Sequence, residues 1–396
     1  MRRMRRFVVL AVVSVLAALL ASTTGSAASD DEIVIGIASA QTGFFSFYDN
    51  PIATSVKIAA DEFNRVGGVD GKKIRVVVSD TKSDVNLSAQ AATEVIGKGA
   101  NFVVTMCDFD LGAPAARVAQ SKGVIALSCA GSPLFGPRAI GPLAFSVSEG
   151  TPTQGAVAAE YANKRRWKTT YLLTDVTTQY SKDWCANLVT RFKQLGGRVV
   201  GRDTFQLNDQ TVQAQVSRMK ASVGKFDFIS LCGFPPIGAT AVRQIRAAGI
   251  SAPIIGTAGF DGPFWVGAVP RVSNVYATAT VSLFGDDPNP KVNRLVRAFK
   301  ARTGKAPQTS YFLYGYSMVE LIKKAVEATH STDGNTLSKW LASGRTLQLA
   351  IGPTHYMQKC HDSFGRPMRI VQYQNGKGSL AARITPKKVP IPAICR

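Results

Sequence analysis

The chain has 396 residues, with 47 lysines and arginines against 26 acids and a formal charge of +21 at pH 7. That length accommodates two domains. Such a basic balance raises the question of nucleic acid, but the cations are dispersed. The densest group, Lys164-Arg165-Arg166 with Lys168, falls between a predicted helix and a predicted strand and reads as a solvated turn, so no nucleic acid is expected as a partner.

The chain opens with Arg2, Arg3, Arg5 and Arg6, an apolar run from Phe7 to Ala21, and the small residues Ser26-Ala27-Ala28. This is the pattern of a secretory signal peptide over residues 1–28. No later apolar run reaches the ~20 residues of a membrane span, so a soluble, exported protein is expected. The first cysteine is Cys107, which argues against a lipid anchor near the cleavage site. Six cysteines in an exported chain point to disulfides. Cys360-His361, with His355 nearby, is the closest approach to a metal site, and it reads as a disulfide cysteine beside an exposed histidine. No metal and no cofactor are expected.

From Ile33 the predicted elements alternate. Ile33 to Ala38 is a continuous apolar run, the pattern of a parallel strand buried on both faces. An aromatic loop over residues 39–50 follows and is a candidate ligand lip, with Asp49 or Asn50 capping the next helix and Pro51 in its first turn. Ile52, Val56, Ala59, Ala60 and Phe63 recur at helical spacing until Gly67-Gly68, and residues 74–79 give a second strand. Further helices are predicted over 86–98, 111–121, 153–163, 181–195, 210–221 and 237–248, with strands over 101–105, 124–128, 143–148, 169–173, 198–205, 226–232 and 253–256. An extended run over 275–283, helices over 290–303 and 309–329, a shorter helix ending near Ala342, and a strand-and-turn tail containing a strand over 368–374 complete the series. Such alternation is the signature of doubly wound α/β domains.

The segments IGIASAQTG (35–43), AADEFNRVGGVDGKKIRVVVSD (59–80), GVIALSCAGSP (123–133), YLLTDVTTQYSKD (171–183) and FDFISLCGF (226–234), in that order and spacing, resemble the Leu/Ile/Val-binding family of ABC-importer solute-binding proteins. The resemblance covers nearly all of the chain after the signal peptide. It implies an α/β type I periplasmic binding fold, with two doubly wound parallel-sheet lobes joined by three hinge strands. Lobe one would be residues 29–147 and 281–348, lobe two 148–280 and 349–396, with crossings near Val147, Thr280 and Ile351.

The same resemblance implies a monomer that captures a small-molecule ligand between the lobes and hands it to the membrane permease of an ABC transporter, in the periplasm. In the family, the turn matching Ser128 to Ser132 holds a ligand carboxylate, which brings forward Ala130, Gly131 and Ser132. Tyr48, Tyr180 and Phe234 match aromatic positions at the ends of strands. The serine expected after Cys107 is here Asp108, and the glutamate that would pair with a ligand ammonium aligns with Ala258 in IIGTAGFDG, with Asp261 three residues on. An ammonium buried without a partner costs several kcal/mol. The expected ligand is therefore a carboxylate or amide with an apolar or aromatic body, with amino acids as the alternative.

Cys107 and Cys129 end two strands that should be neighbours, Cys185 opens a helix beside the strand ending at Cys232, and Cys360 with Cys395 would tie down the tail. Only three histidines occur, all late in the chain, and neither a G-x-S-x-G elbow nor a P-loop is present. The chain is not expected to be an enzyme. The rival reading is a ligand-sensing receptor or regulator domain of the same fold.

Overall fold

The structure is a computed structural model describing residues 32–396; the predicted signal peptide lies outside the described residues. The first apolar run forms β1 (Glu32–Ser39), and its alternate side chains enter two different cores. Ile33, Ile35 and Ile37 pack into one cluster, Val34 and Ala38 into another, as burial on both faces of a parallel sheet requires. β1 pairs in parallel with β2 (Lys73–Asp80) on one side and β3 (Phe102–Thr105) on the other. With β4 (Ile125–Ser128) and β5 (Ala144–Ser146) the first sheet has five strands in the order β2-β1-β3-β4-β5.

Helix α1 (Ser46–Arg65) begins earlier than the sequence pattern indicated, so Asp49 and Pro51 lie inside it. The reason is Asp49 itself. Its carboxyl does not cap the helix but turns inward, accepting from the Ala40 N–H at 2.9 Å and the Cys107 N–H at 3.1 Å. One side chain thereby ties the ends of β1 and β3 together. Helix α2 (Val85–Gly97) and helix α3 (Phe109–Ser121) cover the other face, each opened by an aspartate whose carboxyl accepts from the first turn, Asp84 and Asp108 respectively.

After Ser146 the chain leaves this sheet and repeats the theme. Helix α4 (Gly150–Lys164), β6 (Thr169–Asp175), α5 (Gln179–Gln194), β7 (Arg198–Phe205), α6 (Gln213–Lys220), β8 (Phe228–Cys232), α7 (Ile237–Ala247), β9 (Ile254–Gly256) and β10 (Val275–Ala279) follow. The second sheet runs β14-β13-β10-β9-β8-β6-β7. Its parallel part repeats the order of the first sheet, and β13 (Met368–Gln374) and β14 (Lys377–Ile384) add to it antiparallel. Those two strands are joined by Asn375-Gly376 with φ of 51° and 75°, the left-handed pair a tight hairpin needs.

Helices α8 (Pro290–Thr303), α9 (Phe312–Thr329) and α10 (Gly334–Leu341) return to the first sheet. α9 lies so close to α1 that a Cβ on Gly315 would sit 2.2 Å from the Ile52 carbonyl oxygen. The ribbon β11 (Thr346–Leu349) and β12 (Gly352–His355) then leads away again. The chain therefore passes between the sheets three times. Residues 356–366 lie along β5: the Ser146 N–H donates to the His361 carbonyl at 3.3 Å, so the open edge is covered. His361 is accordingly buried, not exposed as its sequence neighbourhood suggested. Its ring stacks on Phe145 at 4.0 Å, and burial lowers its pKa to about 4. Three disulfides, Cys107–Cys129, Cys185–Cys232 and Cys360–Cys395, are present.

Candidate functional site

In both sheets the C-terminal strand ends point at the same seam, the position where open α/β sheets bind ligands. From the first sheet come Asp108 after β3 and the Cys129-Ala130-Gly131-Ser132 turn after β4. From the second come Tyr180 in the first turn of α5, Phe234 after β8, and Gly259 after β9. Between them lies a narrow cavity, with about 20 Å³ of room for the centres of water-sized molecules, that is partly open to solvent.

Of the residues singled out from the sequence, Tyr48, Asp108, Gly131, Tyr180 and Phe234 line this cavity. Asp108 Oδ1 accepts from the Leu111 N–H at 3.2 Å, which opens α3. Burial, reinforced by Asp110, raises its carboxyl to about 7, despite the backbone hydrogen bonds that oppose the shift. Asp49, directly behind it, is raised to about 8 by burial. Tyr48 Oη donates to the Gly259 carbonyl at 3.0 Å, and Tyr180 Oη donates to Gln154 Oε1 at 2.8 Å.

Three of those residues stand elsewhere. Ala130 is fully buried behind Gly131, its N–H donating to Ser128 Oγ at 3.1 Å and its carbonyl accepting from Ser146 Oγ at 2.7 Å. Its polar groups are thus spent within the first sheet's own turn. Ser132 Oγ donates to Asp183 Oδ2 on α5 at 2.6 Å, which draws it across the seam and out of the lining. Asp261 is also turned away. Its Oδ2 accepts from the N–H and the hydroxyl of Ser310, just before α9, and burial raises its carboxyl to about 8. Both residues hold the two halves together, Ser132 through its hydroxyl and Asp261 through Oδ2, while Asp261 Oδ1 stays buried without a hydrogen-bond partner.

These contacts, with the Gln179 N–H on Asp110 Oδ2 at 2.7 Å and the Thr151 N–H on the Gly131 carbonyl at 2.7 Å, mark a closed cleft. Two α/β halves, three crossings and a cavity at facing strand ends are the architecture of a hinged binding protein.

Residues 32–378 match the family model described as periplasmic binding protein. The chain belongs to the periplasmic binding protein family. A Leu/Ile/Val-binding protein homolog from Brucella melitensis is 24% identical over 369 residues, covering 90% of this chain and 96% of that protein. Among solved structures, the branched-chain amino acid substrate-binding protein LivJ from Streptococcus pneumoniae, in complex with isoleucine, superposes with a TM-score of 0.78 at 24% identity, covering 89% of this chain and 98% of that one. An ABC-transporter solute-binding protein from Rhodopseudomonas palustris in complex with benzoate gives a TM-score of 0.75 at 16% identity, covering 91% and 98%. The fold is that of the type I periplasmic binding proteins.

In this periplasmic binding protein the lining also includes Phe45, Gln154, Gly259, Tyr311 and the Cys107–Cys129 disulfide. Phe45 belongs to the aromatic stretch flagged as a ligand lip. Gln154 and Tyr311 carry no local signal. Gln154 reaches the cavity because α4 starts just after the chain crosses between the halves, and Tyr311 because it lies just before α9, beside the Ser310 that meets Asp261.

Proposed function

We propose that the protein is the extracytoplasmic solute-binding subunit of an ABC importer, capturing a small molecule between its two lobes and delivering it to a membrane permease. The observation that carries this reading is the cavity at the facing strand ends, closed by hydrogen bonds that run from one half to the other. Lobe one is taken as residues 29–147 and 281–348, lobe two as 148–280 and 349–396. Tyr48, Asp108, Gly131, Tyr180 and Phe234, joined by Gln154 and Tyr311, hold the ligand. Closure removes it from water and presents the permease with a shape that only the loaded protein adopts. The relatives named for binding Leu, Ile and Val, and neighbours solved with isoleucine or benzoate, support a small carboxylate, amide or amino acid as cargo. Export to the periplasm, a monomeric state and the absence of turnover belong to the same proposal.

Titration calorimetry with a panel of amino acids, amines, aromatic acids and amides, followed by mass analysis of the recovered ligand, tests it. One ligand bound per chain and recovered unchanged is expected. Chemical conversion of a bound compound, abolished by substitution at Asp108 or Tyr180, would overturn it.

A further inference from the structure

Five rings line the cavity: Phe45, Tyr48, Tyr180, Phe234 and Tyr311. They are contiguous, with centroids 5.0 Å apart for Phe45 and Tyr48, 5.3 Å for Tyr48 and Tyr311, and 6.1 Å for Tyr48 and Phe234. Phe234 and Tyr180 follow at 6.4 Å. Among the described residues that line the cavity there is no lysine, arginine or histidine, and the one acid is Asp108. Ring faces carry negative potential and attract cations, while an anion placed among them beside a carboxylate has no counter-charge.

The other acid considered for an ammonium, Asp261, commits Oδ2 to Ser310, keeps Oδ1 buried without a hydrogen-bond partner and does not line the cavity, and Ala258 offers no polar side-chain atom. Among the acids, Asp108 is the one that lines the cavity and can touch a positive charge placed there. Gln154 accepts from Tyr180 through Oε1, which leaves its N–H donors for a second polar group of the ligand.

We propose that the cavity selects its ligand by positive charge: a small protonated amine or amino acid, seated with its ammonium on Asp108 among the five rings. This reverses the preference for a ligand without an amine that the sequence suggested, and it rests on the reading of the cavity as the ligand site. The ammonium is held from the first sheet's side of the cleft, and the rings contributed from both sides close over the ligand's body.

The test uses two matched series on protein freed of copurified ligand: leucine, 3-methylbutylamine and 4-methylpentanoate, and phenylalanine, phenethylamine and 3-phenylpropanoate. Calorimetry should show the amine-bearing members of a series binding at least about tenfold more tightly than the acid that lacks the amine. Asp108→Asn keeps an N-cap for α3 and should weaken the amines by about ten- to a hundredfold, the range for losing a hydrogen bond to a charged group. Should that variant fold poorly by thermal melting, the wild-type ranking within each series still decides. An acid without an amine that binds as well as its amine, or Asp108→Asn binding an amine within about twofold of wild type, overturns the proposal and leaves the ligand site standing. If neither series binds, native mass spectrometry separates the cases. A neutral or anionic compound carried by the protein overturns the charge selection alone, and an empty protein overturns both readings.

Discussion

Gly131 is a place where the two halves approach closely at the cavity wall. A Cβ built there would lie 2.8 Å from Cε2 of the Tyr180 ring, too near for an undisturbed contact. Its backbone conformation is not one reserved for glycine, so the constraint is space alone. The ring belongs to the opposite half, so opening of the cleft should separate it from Gly131. Gly131→Ala should therefore weaken ligand binding by at least about tenfold, which is 1.4 kcal/mol of closure, while leaving the unfolding midpoint of the empty protein nearly unchanged. Calorimetry beside thermal melting separates the two effects. A variant that binds as tightly as wild type would show that the glycine does not set the closed geometry. Tyr48 works in the opposite sense at the same scale. Its hydroxyl reaches the Gly259 carbonyl and rewards closure rather than limiting it.

At the scale of elements, the crossings are tied by one buried cluster. Arg366 Nη2 donates to the Val147 carbonyl at 2.5 Å and lies 3.5 Å from Glu149 Oε1, and its Nη1 donates to Thr354 Oγ1 at 2.7 Å. Glu149 Oε2 accepts from Tyr314 at 2.6 Å, and Tyr314 meets Thr280 Oγ1 at 2.7 Å. Residues beside all three crossings thus share one set of contacts, with the charges almost fully removed from water. Removing one partner leaves the other buried and uncompensated. Arg366→Ala should cost about 3–5 kcal/mol of stability, and the double variant Glu149→Gln/Arg366→Met should recover much of that loss. Urea denaturation of the three proteins reads both numbers. A double variant as unstable as Arg366→Ala would show that the cluster acts by packing and not by charge.

For the whole molecule, the buried carboxyls at the seam predict a closure that is coupled to protons. In the closed form burial holds the Asp261 carboxyl up at about 8, with Glu149 adding to the shift and Ser310 opposing it. If opening of the cleft brings it into water, it should return to the ordinary carboxylate value near ~4. The closed form binds this proton more tightly, so Asp261 favours closure fully below about 4, and that contribution is lost as pH rises through about 8. Ligand-free protein should accordingly have a larger radius of gyration by X-ray scattering at pH 9 than at pH 6. Asp49 and Asp108 at the seam titrate in the same direction. Asp261→Asn should therefore reduce the change without abolishing it, and an unaltered pH profile in that variant would rule out Asp261 as a contributor.

The division between what sequence and tertiary structure decide follows from the range of the forces involved. Apolar runs such as Ile33 to Ala38, glycine stops such as Gly67-Gly68 and the strand-helix alternation are local, and by themselves they determine the elements, the parallel sheets and the loops that face the cleft. The order of the quoted segments carries the family. The Asn375-Gly376 pair is an equally local turn signal, beyond the strand predicted over 368–374. Which side chains reach the cavity is not local. Ser132 meets a partner 51 residues away and Asp261 one 49 residues away, so residues that a pattern of types places at the site are drawn off to hold the halves together. Asp49, which in sequence reads as a helix cap, joins two strand ends because burial leaves its carboxyl no water to bond. Gln154 becomes a site residue because the chain crosses between the sheets just before its helix, and Tyr311 because packing sets the start of α9 at the seam, where Ser310 meets Asp261. Periodicity records which face of an element is buried; what that face meets is set by packing over the whole chain, and there the charge of the cavity is decided.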